Sequence, residues 1–191
     1  MPAPLILASA SPRRLSLLAQ IGVVPARVVA PEVDETPLKD ERPRDYVLRV
    51  AIAKAKAVAR DAAEVVLAAD TSVVAGRRIL GKPADDADLV RMLELLSGRR
   101  HHCLSAVVVI GADGTQRTRL SDTTVAFKPL SAAEIATYVA SGEGMGKAGG
   151  YAIQGRAEAF VRRIDGSYSG VVGLPLFETR ALLTSAGIAF G

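Results

Sequence analysis

The chain has 191 residues, enough for one domain or two closely joined lobes, and 49% of these residues are hydrophobic. We expect a cytoplasmic protein without a membrane span or a secretion signal, because no apolar run approaches roughly 18 residues and the lone Cys103 can form no internal disulfide. The net charge of +4 suits an anionic small molecule as well as a weak nucleic-acid surface, and does not choose between them.

The first predicted elements are a buried strand over residues 4–8 and a helix that follows it directly. Ser11 suits the N-cap of this helix, Pro12 suits its first position, and Gly22 is a typical stop signal. Apolar residues at helical spacing predict the buried face of the helix. This predicted face consists of Leu15, Leu17, Leu18 and Ile21.

Two arginines, Arg13 and Arg14, occupy the first turn of that helix, where the helix dipole already places about half a positive charge. One interpretation is that both are ordinary solvated arginines, since the penalty is small. The other is that a phosphate binds there, held by first-turn N–H groups, both guanidinium groups and the hydroxyls of Ser9 and Ser11. The stretch lacks the GxxxxGK[ST] pattern and is therefore not a P-loop.

An acidic cluster and a lysine are the next candidate groups. Glu32, Asp34 and Glu35 could supply oxygen ligands to a divalent ion, or could form a solvated turn. A long helix is predicted over residues 44–60, and Lys54 falls within its apolar face. Its ammonium group either snorkels past its neighbours to solvent or enters a cleft and pairs there with phosphate or carboxylate.

Residues 65–70 form an apolar run that ends in a carboxylate, which predicts a central strand with Asp70 at its carboxyl end. Open α/β sheets place ligand groups at such ends, so Asp70 and the neighbouring Thr71 hydroxyl are candidates for a site. Asp70 could equally cap a helix or a turn. A hairpin that turns near Gly76 is predicted next, and Lys82 beyond it is either a surface lysine or a site residue.

The remaining elements mix helices with hairpins. His101 and His102, which follow two arginines, are predicted to form a solvated corner. We expect an α/β fold with a mixed sheet and flanking helices, in a single domain over residues 1–191. The other predictions are a helix from Asp85 or Asp86 to Gly98, two long strands around residues 113–114, a helix from Ser131 to Ser141 with a capping box, a hairpin at residues 165–166 and a last helix from Pro175.

A glycine-rich loop over residues 142–155 contains Lys147 and Gln154. Such loops let backbone N–H groups approach a ligand closely, although flexible loops without ligands are commoner. As a set, the phosphate nest, the lysines and the carboxylates predict a nucleotide-polyphosphate site with a metal ion. No serine or cysteine has an evident histidine partner, which argues against acyl-enzyme chemistry.

The motifs that carry these groups resemble, in order and over nearly the whole chain, those of the Maf family of nucleoside triphosphate pyrophosphatases. They are LASASPRRLSLLAQIG, PEVDETP, AADTSVV, LGKP, LSGRRH, KAGGYAIQG and GSYSGVVGLPL. The resemblance implies two lobes around a central cleft, in a fold related to the inosine triphosphatase fold. It implies Mg²⁺- or Mn²⁺-dependent cleavage between the α- and β-phosphates, a homodimer, and links to nucleotide-pool cleansing and to arrest of cell division.

The resemblance also implies roles for individual residues. Phosphate binding is implied for Ser9, Arg13, Arg14, Lys54 and Lys82. Asp70 matches the catalytic acid and Glu35 a motif acid, and these two are the candidate metal ligands. Arg13, Thr71 and Gln154 match positions that mark the branch favouring dTTP and UTP. The chain departs from the family at Gly146, where Asp is frequent, and at Gly170, where Asn or Ala is usual, so the local loop geometry there stays open.

We therefore expect an enzyme that binds a small-molecule nucleoside triphosphate, with neither nucleic acid nor a membrane as a partner. The amide of Gln154 suits the O4 and N3–H edge of uracil or thymine, and would exclude cytosine if Thr71 or the glycine loop held it fixed. The alternatives are a 7-methylguanosine-triphosphate pyrophosphatase, a nucleotide-sensing regulator and a nucleic-acid-binding module. The last would need a continuous basic face with exposed aromatic side chains.

Overall fold

A seven-stranded mixed sheet with helices packed on both faces forms the frame of the molecule, in a computed structural model that describes residues 3–190. The predicted α/β class with a mixed sheet is confirmed, and no described helix is long and apolar enough to cross a membrane. The strands are β1 (Leu5–Ala8), β2 (Arg27–Val29), β3 (Val65–Ala75), β4 (Arg78–Leu80), β5 (Arg100–Ile110), β6 (Gln116–Phe127) and β7 (Val161–Asp165). The helices are α1 (Pro12–Gln20), α2 (Pro43–Lys56), α3 (Asp86–Leu96), α4 (Ala132–Ala140), α5 (Tyr168–Val172) and α6 (Leu176–Ser185), with 3₁₀ segments at Ala148–Gly150 and Arg156–Phe160.

One edge of β3 changes partner along its length, which leaves a gap in the sheet. The strand order is β2-β1-β3-β5-β6-β7; β1 is parallel to both of its neighbours, and the other pairs are antiparallel. On the side away from β5, residues 65–68 of β3 pair with β1 and residues 73–75 pair with β4. Among residues 3–190, no strand pairs with residues 69–72 on that side. This stretch of β3 is therefore accessible from the edge of the sheet.

The apolar cores divide the molecule into two lobes joined by continuous strands. Two cores lie on opposite faces of the sheet around β1 and the first half of β3, one under α1 and α6 and the other under α2. A third core surrounds the other end of the sheet and includes residues of α3, α4 and the second 3₁₀ segment. Strands β3, β5 and β6 have 11 or 12 residues each and run through both lobes. The gap in β3 lies between the two lobes.

Helix α1 begins where the sequence predicts, but its buried face differs from the prediction. Ser11 is the N-cap and Pro12 is the first helical residue. The prediction was wrong at Leu15, whose surface is 41% exposed, whereas Arg14 is only 9% exposed. Arg14 precedes the buried Leu17 and Leu18 by three and four residues, so it shares their face of the helix. A charged side chain therefore occupies a position that hydropathy alone would assign to leucine.

Two predicted boundaries and one predicted hairpin also differ from the structure. Helix α2 ends at Lys56 and not at residue 60. Strand β3 continues through Asp70 to Ala75, because its last residues pair with β4, so Asp70 lies inside a strand and not at its carboxyl end. The predicted hairpin at residues 165–166 is wrong, since β7 pairs with β6 and leads directly into α5. By contrast, the N-cap at Asp85 and the capping box of Ser131 and Glu134 are confirmed.

The two histidines do not form a solvated corner. Both lie in β5, where His102 faces solvent and binds Asp122 at 2.7 Å, whereas His101 is fully buried. The Nε2 atom of His101 lies 2.8 Å from the Tyr151 hydroxyl, and its ring packs edge-on against Phe127. Burial lowers the pKa of His101 to about 4, so this histidine is neutral at physiological pH. The corner prediction failed because alternation along β5 sends neighbouring side chains to opposite faces.

The glycine-rich loop is held against β3 and β4 by close backbone packing. Gly149 has a φ of +68° and donates its N–H to the Gly81 carbonyl at 3.0 Å. A Cβ atom on Gly149 would lie 2.7 Å from Val73, whereas one on Gly146, with a φ of +70°, would meet nothing within 4 Å. Gly149 is therefore required for both its backbone conformation and its lack of a side chain.

These two glycines provide a matched test of the packing. Gly146→Ala and Gly149→Ala both incur the cost of a positive φ, but only Gly149→Ala also overpacks the core, at a cost of about 1–3 kcal/mol. We expect Gly149→Ala to lower the free energy of unfolding by that additional amount, measured by denaturant titration. Equal losses in the two variants would show that the loop does not pack as described.

Candidate active site

The gap in β3 opens into a cleft of about 590 Å³ between the lobes. Residues from both lobes line it, because β1 ends on one side of the gap and β4 on the other. The N-terminus of α1, the C-terminal end of α5 and the glycine-rich loop complete the walls. All ten residues predicted for the site line this cleft: Ser9, Ser11, Arg13, Arg14, Glu35, Lys54, Asp70, Thr71, Lys82 and Gln154.

A lysine held between two carboxylates occupies one face of the gap. The Lys54 Nζ atom lies 2.7 Å from Asp70 Oδ1 and 2.8 Å from Glu35 Oε1, and the Lys54 side chain is only 12% exposed. Of the two alternatives for Lys54, the structure shows the one in which the ammonium group enters the cleft and pairs there with carboxylates. Burial alone would raise the pKa of Glu35, but the hydrogen bond from Lys54 and the charges of Lys54, Lys82 and Arg14 hold it below its usual value.

Arg14 joins the N-terminus of α1 to the end of α5. Its Nε donates to the Gly173 carbonyl at 2.8 Å, and its Nη1 donates to the Ser9 hydroxyl at 3.2 Å. Burial lowers the pKa of Arg14, and the negative charge of Asp70 opposes this effect. The Ser9 hydroxyl also accepts the backbone N–H of Ser11 at 3.1 Å. This network orients the start of α1 toward the cleft.

Arg13 and Lys147 bring two further positive charges to the cleft. Arg13 is half-buried and donates from Nε to the Val172 carbonyl at 3.3 Å. Lys147 makes a single long contact, 3.5 Å, to the carbonyl of Met145 in its own loop. Burial lowers the pKa of Lys147, and the nearby charge of Arg13 lowers it further. Two cations that disfavour each other in this way would be stabilised by a bound anion.

Thr71 lies on the opposite face of β3 from Asp70, because successive side chains alternate along a strand. Its Oγ1 lies 2.9 Å from Ser105 Oγ and 3.4 Å from the Gly173 carbonyl oxygen. Gln154 is exposed at the cleft wall, and the hydrogen bonds within residues 3–190 include none to its amide. Neither the Thr71 hydroxyl nor the backbone of the glycine-rich loop, the two groups expected to hold this amide, is hydrogen-bonded to it within residues 3–190.

The acidic cluster does not act as a unit. Only Glu35 reaches the cleft, whereas Asp34 accepts the backbone N–H of Thr36 at 2.8 Å in an exposed turn. Residues 3–190 contain no group of three or more His, Cys, Asp or Glu side chains arranged to hold a metal. Asp70 and Glu35 nevertheless converge on one point, and Mg²⁺ is commonly bound by one or two carboxylates together with substrate phosphates. In the structure that point is the ammonium group of Lys54, and a divalent ion shared with a phosphate ligand at these two carboxylates stays a prediction.

Sequence reasoning missed two residues that support the site. The Tyr46 hydroxyl donates to the Glu35 carbonyl at 2.8 Å and fixes the backbone of the acidic turn. Ser105, in the middle of β5, lies beside Thr71 on the neighbouring strand. Both lie in apolar stretches of sequence, where the hydrophobic periodicity gives no indication that a single polar residue supports a site.

Comparison with protein-family models assigns the chain to one family. The family model described as "Maf-like protein" matches residues 4–186. A dTTP/UTP pyrophosphatase of Sphingopyxis alaskensis is 72% identical over 191 residues, which is 100% of both chains. A dTTP/UTP pyrophosphatase of Novosphingobium aromaticivorans is 59% identical over 96% of this chain and 92% of the relative. Among solved structures, the Ham1 protein of Staphylococcus aureus has a TM-score of 0.44 at 17% identity, over 65% of this chain and 71% of that chain.

The two arginines of α1 are expected to respond differently to replacement. Arg14→Ala should lower the free energy of unfolding by about 1–3 kcal/mol, because it removes a buried donor from Gly173 and Ser9. Arg13→Ala should cost less than about 1 kcal/mol, since its one hydrogen bond is long and half-exposed. Both variants should weaken the binding of inorganic phosphate, measured by calorimetry beside the exposed-site control Arg162→Ala. Equal stability losses, or unchanged phosphate affinity in Arg13→Ala, would contradict the assignment.

Proposed function

The chain belongs to the Maf-like protein family, and we propose that it is a nucleoside triphosphate pyrophosphatase that hydrolyses dTTP and UTP to the monophosphate and pyrophosphate. The observation that carries this proposal is the cleft at the gap in β3, where five cationic side chains surround two carboxylates. Such an excess of positive charge suits a polyphosphate. The relatives named dTTP/UTP pyrophosphatases, at 72% and 59% identity, support the choice of substrates.

The cationic groups act by binding and neutralising the phosphates. Arg13, Arg14 and the N-terminus of α1 present N–H donors to phosphate oxygens, and Lys82 approaches the same cleft from the end of β4. Cleavage between the α- and β-phosphates makes pyrophosphate the leaving group, on which negative charge develops. Donors that are held in place before the reaction stabilise this charge without reorganising.

Asp70 directs the attacking water at the α-phosphorus, either as a general base or by orienting the water. Lys54 holds the carboxylate of Asp70 in place through the 2.7 Å ion pair, and Glu35 shares the same ammonium group. Asp70 and Glu35 would hold a divalent ion, Mg²⁺ or Mn²⁺, which when bound would neutralise phosphate charge and polarise the attacking water. Metal dependence is thus part of the proposal.

The location, the oligomeric state and the cellular role of the enzyme are also proposals. A cytoplasmic location agrees with the buried free thiol of Cys103, which is typical of a reducing compartment. A homodimer, a contribution to nucleotide-pool cleansing and a link to arrest of division follow from family membership alone. We propose no nucleic-acid or membrane partner, because the cationic groups line a cleft that fits a small molecule.

The role of Asp70 can be tested without disturbing the fold. Asp70→Asn keeps the shape of the side chain but removes its charge, so turnover of UTP should fall by a factor of roughly 10² or more. The variant should remain folded, because Glu35 still pairs with Lys54. Pyrophosphate release and thermal unfolding measure the two properties, with Asp86→Asn on the exposed surface of α3 as the matched control. Normal turnover, or loss of the folded state, would count against this role.

A panel of nucleoside triphosphates tests the substrate class. A buried polar group that the wrong base leaves unpaired costs about 1–3 kcal/mol, which corresponds to roughly 5- to 150-fold in rate. We expect kcat/KM for dTTP and UTP to exceed that for CTP by this margin, with purine triphosphates poorer still. A preference for 7-methylguanosine triphosphate would place the chain in the sister branch, and binding without turnover would indicate a sensor.

A further inference from the structure

A carboxylate closes the base of the glycine-rich loop. Both carboxylate oxygens of Glu143 accept the backbone N–H of Arg156 at 3.0 Å, where the second 3₁₀ segment begins. Glu143 thereby joins the two ends of the loop, and the chain between them carries the cleft residues Lys147 and Gln154. A Cβ atom on Gly155 would overlap the Oε1 atom of Glu143, so the carboxylate also packs directly against the loop backbone.

The second half of the loop has anchors of its own. Gly149 donates its N–H to the Gly81 carbonyl at 3.0 Å, and Ala152 donates its N–H to the buried Tyr138 hydroxyl at 3.1 Å. These bonds hold this half of the loop against the end of β4 and against α4. A change at the base of the loop would therefore act mainly on its first half.

The first half of the loop, residues 142–147, is attached at fewer points. Gly144 packs against Leu89 of α3, whereas a Cβ atom on Gly146 would meet nothing within 4 Å. Within the part of the chain that the structure describes, the Glu143 carboxylate makes the only hydrogen bonds that join this segment to the chain beyond the end of α4 and the loop itself. The position of the segment therefore depends on Glu143.

Lys147 depends on this segment for its place in the cleft. Within residues 3–190 its ammonium group makes one hydrogen bond, a 3.5 Å contact to the Met145 carbonyl of its own loop. Burial and the charge of Arg13 lower the pKa of Lys147, whereas the charge of Glu143 raises it. Glu143 is thus connected to Lys147 in two ways, through the loop backbone and through its charge.

We propose that Glu143 is a positioning residue, which closes the base of the glycine-rich loop and so holds Lys147 where it binds a phosphate of the substrate. This inference rests on the proposed function and deepens it. A loop that is released at its base gains conformational freedom, and binding of the phosphate must then remove that freedom. The role therefore needs an acceptor oxygen that reaches Arg156, and does not need a negative charge.

A pair of substitutions at Glu143 separates reach from charge. Glu143→Asp keeps the charge but shortens the side chain, so kcat/KM for UTP should fall by about fivefold or more as Lys147 loses contact with the phosphate. Glu143→Gln loses the charge but keeps an acceptor oxygen at full length, and should retain most of the wild-type kcat/KM. Glu158→Gln, on an exposed acid of the second 3₁₀ segment, is the matched control.

The opposite pattern would overturn the proposal. If Glu143 acted through its charge alone, Glu143→Gln would change the binding of an anion and Glu143→Asp would not, because only the first removes a negative charge beside the cleft. Equal losses in both variants, or a loss of the same size in Glu158→Gln, would also count against positioning through reach.

A double-mutant cycle shows whether Glu143 acts through Lys147. In the Lys147→Ala background, Glu143→Asp should change kcat/KM by less than about twofold, because the group that it positions is already absent. Effects that multiply would show that the two residues act independently and would overturn the proposal.

Calorimetric binding of inorganic pyrophosphate separates this inference from the proposed function. Weaker pyrophosphate binding in Glu143→Asp than in Glu143→Gln would support the positioning role even if the wild type did not turn over UTP, a result that would contradict only the proposed function. Wild-type turnover of UTP, with unchanged kcat/KM and unchanged pyrophosphate affinity in Glu143→Asp, would leave the function intact and overturn the positioning role alone.

Discussion

Within residues 3–190, residues 69–72 of β3 have a strand partner on one side only, and this break in pairing opens the cleft between the lobes. Because β1 and β4 both end at the break, one on each side of it, the chain segments that leave these strands flank the same stretch of β3. Ser9 follows β1 and Lys82 follows β4, so a hydroxyl and an ammonium group approach from opposite sides. Alternation along β3 then sends Asp70 to one face and Thr71 to the other.

Charge is the second constraint on this cleft. Arg14 is buried, and Arg13 and Lys147 disfavour each other's charge, while Asp70 and Glu35 are already engaged by Lys54. The cleft therefore has more positive charge than its own carboxylates neutralise. Cations concentrated in this way lower the stability of the folded protein unless a bound ligand neutralises part of their charge. A polyphosphate supplies the missing negative charge, and a divalent ion would balance the carboxylates.

Much of the site could be predicted from the sequence because its residues stand out locally. Arg13 and Arg14 oppose the helix dipole, Lys54 interrupts an apolar face and Asp70 ends an apolar run, and all of them line the cleft. The roles of these residues remain predictions. The partners of these groups could not be predicted, because they come from distant segments that only the folded sheet brings together.

Burial and register explain the predictions that failed. Hydropathy assigns Leu15 to the core and Arg14 to solvent, whereas hydrogen bonds to Gly173 and Ser9 satisfy the arginine inside. His101 is buried because alternation along β5 turns it toward Tyr151, which no local pattern indicates. Ser105 lies in an apolar strand, and its contact with Thr71 depends on the register of β3 against β5.

The most direct measurement of the central claim is hydrolysis of UTP in ¹⁸O-labelled water, with mass analysis of both products. Attack at the α-phosphorus directed by Asp70 places the label in UMP and leaves pyrophosphate unlabelled. Label in pyrophosphate would show attack at the β-phosphorus, and release of orthophosphate would show cleavage at the terminal phosphate. Either result would contradict the account of the cleft.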